Sequence, residues 1–94
     1  MSDIFKTQGR FDAEILAKYN EGKISAELSP YFRWKEGGVL PTHQEVLTMQ
    51  AQCSSEIEVI WESEKVDDLL ASYYRYVENE LLKIDMMYRN GVIN

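Results

Sequence analysis

The chain has 94 residues, of which 45% are hydrophobic and 12% aromatic, and its formal net charge is −6 at pH 7. This length predicts a single domain over residues 1–94, and the hydrophobic fraction excludes a disordered chain. The one cysteine, Cys53, excludes an internal disulfide and a cysteine-based zinc site. Because no long apolar run indicates a signal peptide or a membrane span, we expect a cytoplasmic protein.

The negative charge is concentrated in the second half of the chain. Residues 54–85 contain nine acidic and three basic residues, whereas residues 1–53 contain seven acidic and six basic ones. Such a surface repels phosphate groups and anionic lipids, which disfavours binding to nucleic acid or to a membrane. The charge keeps a helix face soluble or, alternatively, meets a basic partner surface.

The first half predicts short helices. Apolar residues at helical spacing, ended by Gly22, indicate a helix over residues 11–21. A second helix is predicted at Pro30–Glu36, with Ser29 as its N-cap and aromatic side chains that pack against the last helix. Residues 23–35 also alternate in a way that favours a strand, so a small hairpin remains the alternative there.

Gly37–Pro41 is the clear break in the chain. Thr42 and Glu45, three residues apart, are typical of a capping box, and the apolar stripe that follows predicts a helix to about Glu62. This stripe runs from Val46 through Met49, Cys53, Ile57 and Ile60 to Trp61. Residues 56–62 also alternate like a strand, which leaves a second element for the alternative sheet.

The last third, residues 63–89, contains neither glycine nor proline and predicts a long helix, with Ser63 as N-cap and Asn90 and Gly91 at its end. The apolar phase jumps near Glu62–Lys65, which favours a turn there over one continuous helix across residues 42–89. We therefore predict an all-α fold in which short N-terminal helices precede a long antiparallel helical hairpin. The alternative is an α+β fold with a small sheet from residues 23–35 and 56–62.

Residue types that carry chemistry are sparse. His43, the single histidine, lies in the first turn of a predicted helix, where it is expected to be a surface residue. Cys53 lies on the apolar stripe and is expected to be a small buried hydrophobe. We predict no catalytic residues, no metal site and no cofactor.

The last helix is apolar over more than one face, which one hairpin partner cannot cover. A second surface must cover the rest, supplied by the N-terminal helices or by another subunit. We expect self-association into a homo-oligomer through the C-terminal helices, together with an acidic surface for a protein partner. A small acidic protein of this kind would suit an inhibitor, regulator or adaptor from a phage or mobile element. The predicted interaction surface consists of Leu69, Leu70, Tyr73, Tyr74, Tyr76, Val77, Leu81, Ile84, Met87 and Tyr88.

Two other functions compete with this prediction. Tyr74, Arg75 and Arg89 combine aromatic faces with guanidinium groups, which favours a phosphorylated nucleotide bound at a helical oligomer interface. Residues 40–61 also resemble the helix-turn-helix of winged-helix repressors, since a Pro-Thr start precedes a short helix, a turn and a second helix. The resemblance implies a DNA-binding regulator, but the second helix would carry glutamates and no lysine or arginine.

Overall fold

The computed structural model describes residues 12–93, and all regular structure in this range is helical. The elements follow in the order α1 at residues 12–20, a 3-10 turn at Ala26–Leu28, α2 at Ser29–Lys35, α3 at His43–Glu62 and α4 at Asp68–Arg89. The predicted all-α fold with a C-terminal hairpin is confirmed. Helix α1 ends at residue 20, one residue before the predicted end, while the predicted first residue, Phe11, lies outside the described residues.

The alternative with a small sheet is wrong, because both of its segments are helical. Residues 23–35 contain the 3-10 turn and α2, and residues 56–62 form the end of α3. The local alternation in residues 56–62 is overridden by the longer pattern. Val46, Cys53 and Ile60 are all buried, so one helical face stays in contact with the core along the whole of α3.

The start of α3 is fixed by the predicted capping box. The side chain of Thr42 accepts a hydrogen bond of 3.2 Å from the backbone N–H of Glu45. In return, Oε1 of Glu45 accepts a hydrogen bond of 2.9 Å from the backbone N–H of Thr42. Two backbone donors that the helix cannot satisfy are thereby paired, so α3 begins at His43.

The turn between α3 and α4 lies later than the predicted cap at Ser63. Ser63 ends α3 instead, and its hydroxyl lies 2.8 Å from two backbone carbonyl oxygens, one on each side of it. Asp67 caps α4 by accepting a 3.0 Å hydrogen bond from the backbone N–H of Leu70. Val66 therefore lies in the turn, 39% exposed, and not on the buried stripe. A continuous helix over residues 42–89 is excluded.

The hairpin buries one face of each helix. Trp61 does not lie on this face and is 51% exposed. It follows the buried Ile60 directly, and successive residues of an α-helix point about 100° apart around the axis. The buried side chains of the two helices are Val46, Met49, Cys53 and Ile60 from α3, and Ala71, Tyr73, Tyr74, Val77, Leu81, Ile84 and Asp85 from α4.

Helix α2 begins one residue earlier than predicted. The 3-10 turn runs directly into Ser29, which is therefore the first helical residue and not the N-cap. Pro30 lies in the first turn, where its missing N–H leaves no hydrogen bond unmade. Gly37 follows the C-cap with φ of +98°, a conformation that glycine adopts without steric cost.

Of the aromatic residues of α2, Tyr31 reaches the last helix, as predicted, whereas Phe32 packs against α1. Tyr31 and Phe32 are 1% and 4% exposed. The ring of Phe32 stacks on Tyr19 of α1 with 4.1 Å between the centroids, and the hydroxyl of Tyr31 donates a 2.6 Å hydrogen bond to Glu80 of α4. The N-terminal elements are thus joined to α4 by apolar packing and by a buried hydroxyl.

Candidate interaction site on the helical hairpin

Half of the predicted interaction surface lies inside the subunit. These five residues are at most 2% exposed, so in this conformation they pack against the chain itself and not against a partner. They are Tyr73, Tyr74, Val77, Leu81 and Ile84. The N-terminal elements contact two of these side chains, since Tyr73 donates a hydrogen bond to Glu14 of α1 and Tyr74 accepts one from the backbone of Ser25.

The other five predicted interaction residues keep some exposed surface. Leu69 is 53% exposed, and Leu70, Tyr76, Met87 and Tyr88 are half-buried. The hydroxyl of Tyr88 donates a 2.5 Å hydrogen bond to the carbonyl oxygen of Pro41, and its ring stacks on His43. Tyr88 therefore holds the end of α4 against the start of α3.

The predicted ligand contacts do not line one pocket. Tyr74 is buried, and its hydroxyl accepts a 2.9 Å hydrogen bond from the backbone N–H of Ser25. Arg75 and Arg89 are both exposed, but fourteen residues of helix separate them by about 21 Å along the axis. These three side chains therefore cannot all contact one nucleotide within a subunit.

A groove of about 590 Å³ lies between α2 and α4 and includes Trp34, Tyr76 and Lys83 in its lining. Its other cation, Lys35, is already paired with two carboxylates, Asp12 at 3.4 Å and Glu80 at 3.3 Å. Because these carboxylates also line the groove, its electrostatics do not favour a phosphate group.

Helix α4 has an exposed seam that the sequence analysis did not single out. Its residues recur at steps of four and three, the spacing of a helix-packing seam, and all five are exposed. Leu82 and Met86, at its centre, are 48% and 53% exposed. We call this set the α4 seam: Arg75, Asn79, Leu82, Met86 and Arg89.

Helix α3 adds Leu47 to the apolar centre of the seam. Two hydrogen bonds across the hairpin fix the register of the helices, Ser54 to Glu78 at 2.8 Å and His43 to Asp85 at 2.6 Å. Leu47 lies one turn after His43, so this register places it at the level of the α4 segment between Glu78 and Asp85, which contains Leu82. Leu47 is 38% exposed and extends the apolar surface across the hairpin.

A polar cluster closes the open end of the hairpin. Asp85 is only 4% exposed, and its Oδ1 lies 2.6 Å from Nε2 of His43 and 3.1 Å from Nε of Arg89. The hydrogen bond from His43 lowers the pKa of Asp85, burial opposes this shift, and Arg89 adds to it. The carboxylate is therefore ionised near neutral pH and fixes the imidazole between Asp85 and the Tyr88 ring.

This cluster was not predicted from the sequence, because His43 in the first turn of a helix was expected to be a surface residue. One signal was present: Asp85 lies four residues after Leu81 and one after Ile84, on the buried side of α4. An acid at a core position needs a partner, and His43 and Arg89 are the residues that the fold supplies.

The buried hydroxyls and the thiol are held in their neutral forms. Burial, followed by the hydrogen bond to Glu80, raises the pKa of Tyr31, and burial is also the largest cause of the raised pKa of Tyr73 and Tyr74. Burial likewise raises the pKa of Cys53 to about 12, with Glu78 and Glu56 adding to the effect. Cys53 is a buried core residue, as predicted. Because the thiolate is the reactive form, the raised pKa also makes this thiol a weak nucleophile.

No protein-family model, no characterised protein and no solved structure matches the chain.

Within residues 12–93, no three side chains of the His, Cys, Asp or Glu type are grouped to hold a metal ion. None of the helices in this range has both the length and the apolar content needed to span a bilayer.

Helix α3 continues through residues 51–55 without a turn, so the segment that resembles a helix-turn-helix forms a single helix.

Proposed function

We propose that this chain is a non-enzymatic binding or regulatory protein of the cytoplasm, of the inhibitor or adaptor type. It self-associates through α4 and presents an acidic surface to a protein partner. The observation that carries the proposal is the α4 seam, an exposed row with Leu82 and Met86 at its centre. Exposed apolar side chains at seam spacing are typical of a helix that packs against another helix.

The seam suits a symmetric pair of copies. In a two-fold dimer the same patch faces itself, so an antiparallel alignment of two α4 helices places Leu82 of each copy against Met86 of the other. The charged residues at its two ends, Arg75 and Arg89, lie outside this apolar centre. Methionine side chains adapt to such contacts because they are unbranched and flexible.

The strength of this contact follows from the exposed fractions. Burying a whole leucine or methionine side chain yields roughly 1.5–3 kcal/mol. Because Leu82 and Met86 are about half exposed, the four side chains of a pair yield about 4 kcal/mol in total. Association itself costs at least about 4 kcal/mol. We therefore expect a weak, concentration-dependent dimer to which Leu47 and the polar rim must contribute.

The acidic surface is supported by the exposure of the charges. Glu58, Glu62, Glu64, Asp67 and Asp68 are all exposed, and they lie close together in sequence around the hairpin turn. A surface of this sign steers a basic partner towards it and repels nucleic acid. The partner is therefore a protein whose contact surface is basic.

Sedimentation equilibrium over a wide concentration range tests the self-association. We expect the apparent mass to rise with concentration for the native chain and to stay at that of a monomer for the double variant Leu82→Lys/Met86→Lys. The matched control is Val39→Lys/Val59→Lys, since these side chains are 84% and 62% exposed and lie outside the seam. A native chain that stays monomeric, or equal loss in both variants, contradicts self-association through α4.

A further inference from the structure

The turn of the hairpin is an exposed surface that the self-association does not use. All nine residues from Trp61 to Leu69 are exposed, which is the longest such run in residues 12–93. Three of them are large apolar side chains: Trp61 at 51%, Val66 at 39% and Leu69 at 53% exposed. We call this segment, residues 61–69, the turn surface.

The turn surface is held in shape by its own hydrogen bonds. The hydroxyl of Ser63 lies 2.8 Å from the carbonyl oxygens of Ile60 and Lys65, on the two sides of the turn. Asp67 accepts a hydrogen bond from the N–H of Leu70 and begins α4. A surface ordered before binding loses little conformational entropy when a partner docks. The indole of Trp61 is therefore presented on a fixed scaffold.

The charge of the turn surface selects the kind of partner. It contains four carboxylates and one lysine, a net charge of −3, and Glu58 lies one helical turn before Trp61. Phosphate backbones and anionic lipids are repelled by this surface. A second copy of the chain would bring the same negative charge against it, so like-charge repulsion disfavours contact between two turn surfaces.

We propose that the turn surface is the docking site for a cationic amphipathic helix of a protein partner, whose apolar face covers the indole of Trp61. The proposal deepens the proposed function and rests on it, because it names the surface and the chemistry of the protein partner. Tryptophan is among the residues that contribute most to binding at protein interfaces, and it does so when a pocket removes it from water. The surrounding carboxylates steer the basic segment and fix its position.

The test uses a fluorescent helical peptide built from leucine and lysine, with a leucine and glutamate peptide of equal length as the reference. Fluorescence anisotropy reports binding to the full chain. We expect the cationic peptide to bind and the anionic one not to bind. Trp61→Ala should weaken binding by about tenfold or more, while circular dichroism shows that the fold is kept. The binding constant should also fall with added salt.

A charge-matched pair of variants separates the turn surface from overall charge. The triple variant Glu58→Gln/Glu62→Gln/Glu64→Gln removes three charges around the turn. The control Glu21→Gln/Glu27→Gln/Glu36→Gln removes three exposed charges elsewhere. We expect only the first to weaken binding several-fold. Equal effects of the two triple variants, unchanged binding in Trp61→Ala, or no binding of the cationic peptide to the native chain each overturn the docking site.

The Leu82→Lys/Met86→Lys variant distinguishes a failure of the docking site from a failure of self-association. It should bind the cationic peptide as the native chain does, because neither side chain belongs to the turn surface. A native chain that is monomeric in sedimentation but loses the peptide in Trp61→Ala refutes self-association alone. Loss of the peptide in the seam variant, with Trp61→Ala unaffected, refutes the turn surface and assigns the contact to the α4 seam.

Discussion

Replacing Leu81 with alanine is expected to destabilise the fold strongly, whereas the same replacement at the neighbouring Leu82 should lower the free energy of unfolding much less. The two residues share one side-chain type, one helix and adjacent positions. Leu81 is 0% exposed between α3 and α4, and Leu82 is 48% exposed on the α4 seam. The pair therefore tests the rotational phase of α4 with the chemistry of the substitution held constant.

The expected magnitudes follow from burial. A fully buried leucine that becomes alanine costs about 2–5 kcal/mol, because apolar contacts are lost and a cavity remains. At Leu82 the cost is about 1 kcal/mol or less, since half of the side chain is already in water and alanine is the better helix former. A chain of this size has a stability of about 5–14 kcal/mol. Leu81→Ala therefore removes a large share of the total.

Urea unfolding followed by circular dichroism measures both variants. It must be done at a concentration where the native chain is monomeric, because self-association adds to apparent stability. Sedimentation on the same samples should give the opposite order, with Leu82→Ala weakening association and Leu81→Ala leaving the contact surface intact. Equal free energies of unfolding for the two variants would refute the placement of α4 against α3.

The remaining predictions concern single side chains. Because the pKa of Asp85 is lowered in the folded state, its stabilising contribution is present above about pH 4, the ordinary range of an aspartate, and is lost as pH falls through the folded-state pKa. Urea unfolding of Asp85→Asn across a pH series should therefore show a weaker loss of stability on the acid side than the native chain. Cys53, buried and with a pKa raised to about 12, should react with a thiol reagent at mildly alkaline pH only as fast as the chain opens, and fast labelling of the native chain contradicts its burial. Thr42→Ala, which removes the cap of α3, should cost about 1 kcal/mol, whereas Thr48→Ala, at an exposed site inside α3, should cost clearly less in the same unfolding assay.

Local signals predicted the helices better than their ends. The capping box of Thr42 and Glu45 predicted the start of α3 correctly, because both partners lie within four residues of each other. The start of α4 was placed at Ser63, four residues before the true cap at Asp67. Serine and aspartate both cap helices, and only the folded turn shows that the Ser63 hydroxyl donates to backbone carbonyl oxygens on either side of it and does not cap α4.

Contacts between distant residues could not be read from periodicity. Tyr74 was predicted to contact a partner or a ligand, but its side chain is buried and its hydroxyl reaches Ser25, 49 residues away. The pairing of His43 with Asp85 spans 42 residues in the same way. A helical stripe gives the width of an apolar face. It does not identify which element packs against that face or which acidic residue forms a hydrogen bond with the histidine.

The bonds that join the N-terminal elements to α4 have a consequence for the order of folding. The hairpin closes over a five-residue turn, whereas Tyr31 meets Glu80 across 49 residues and Glu14 meets Tyr73 across 59. Because closing a long loop costs more entropy, we expect the hairpin to form before α1 and α2 attach to it. During synthesis, however, α1 and α2 leave the ribosome before α4 exists. The apolar surfaces that α1 and α2 bury against α4 therefore stay exposed to solvent until the last helix emerges from the ribosome.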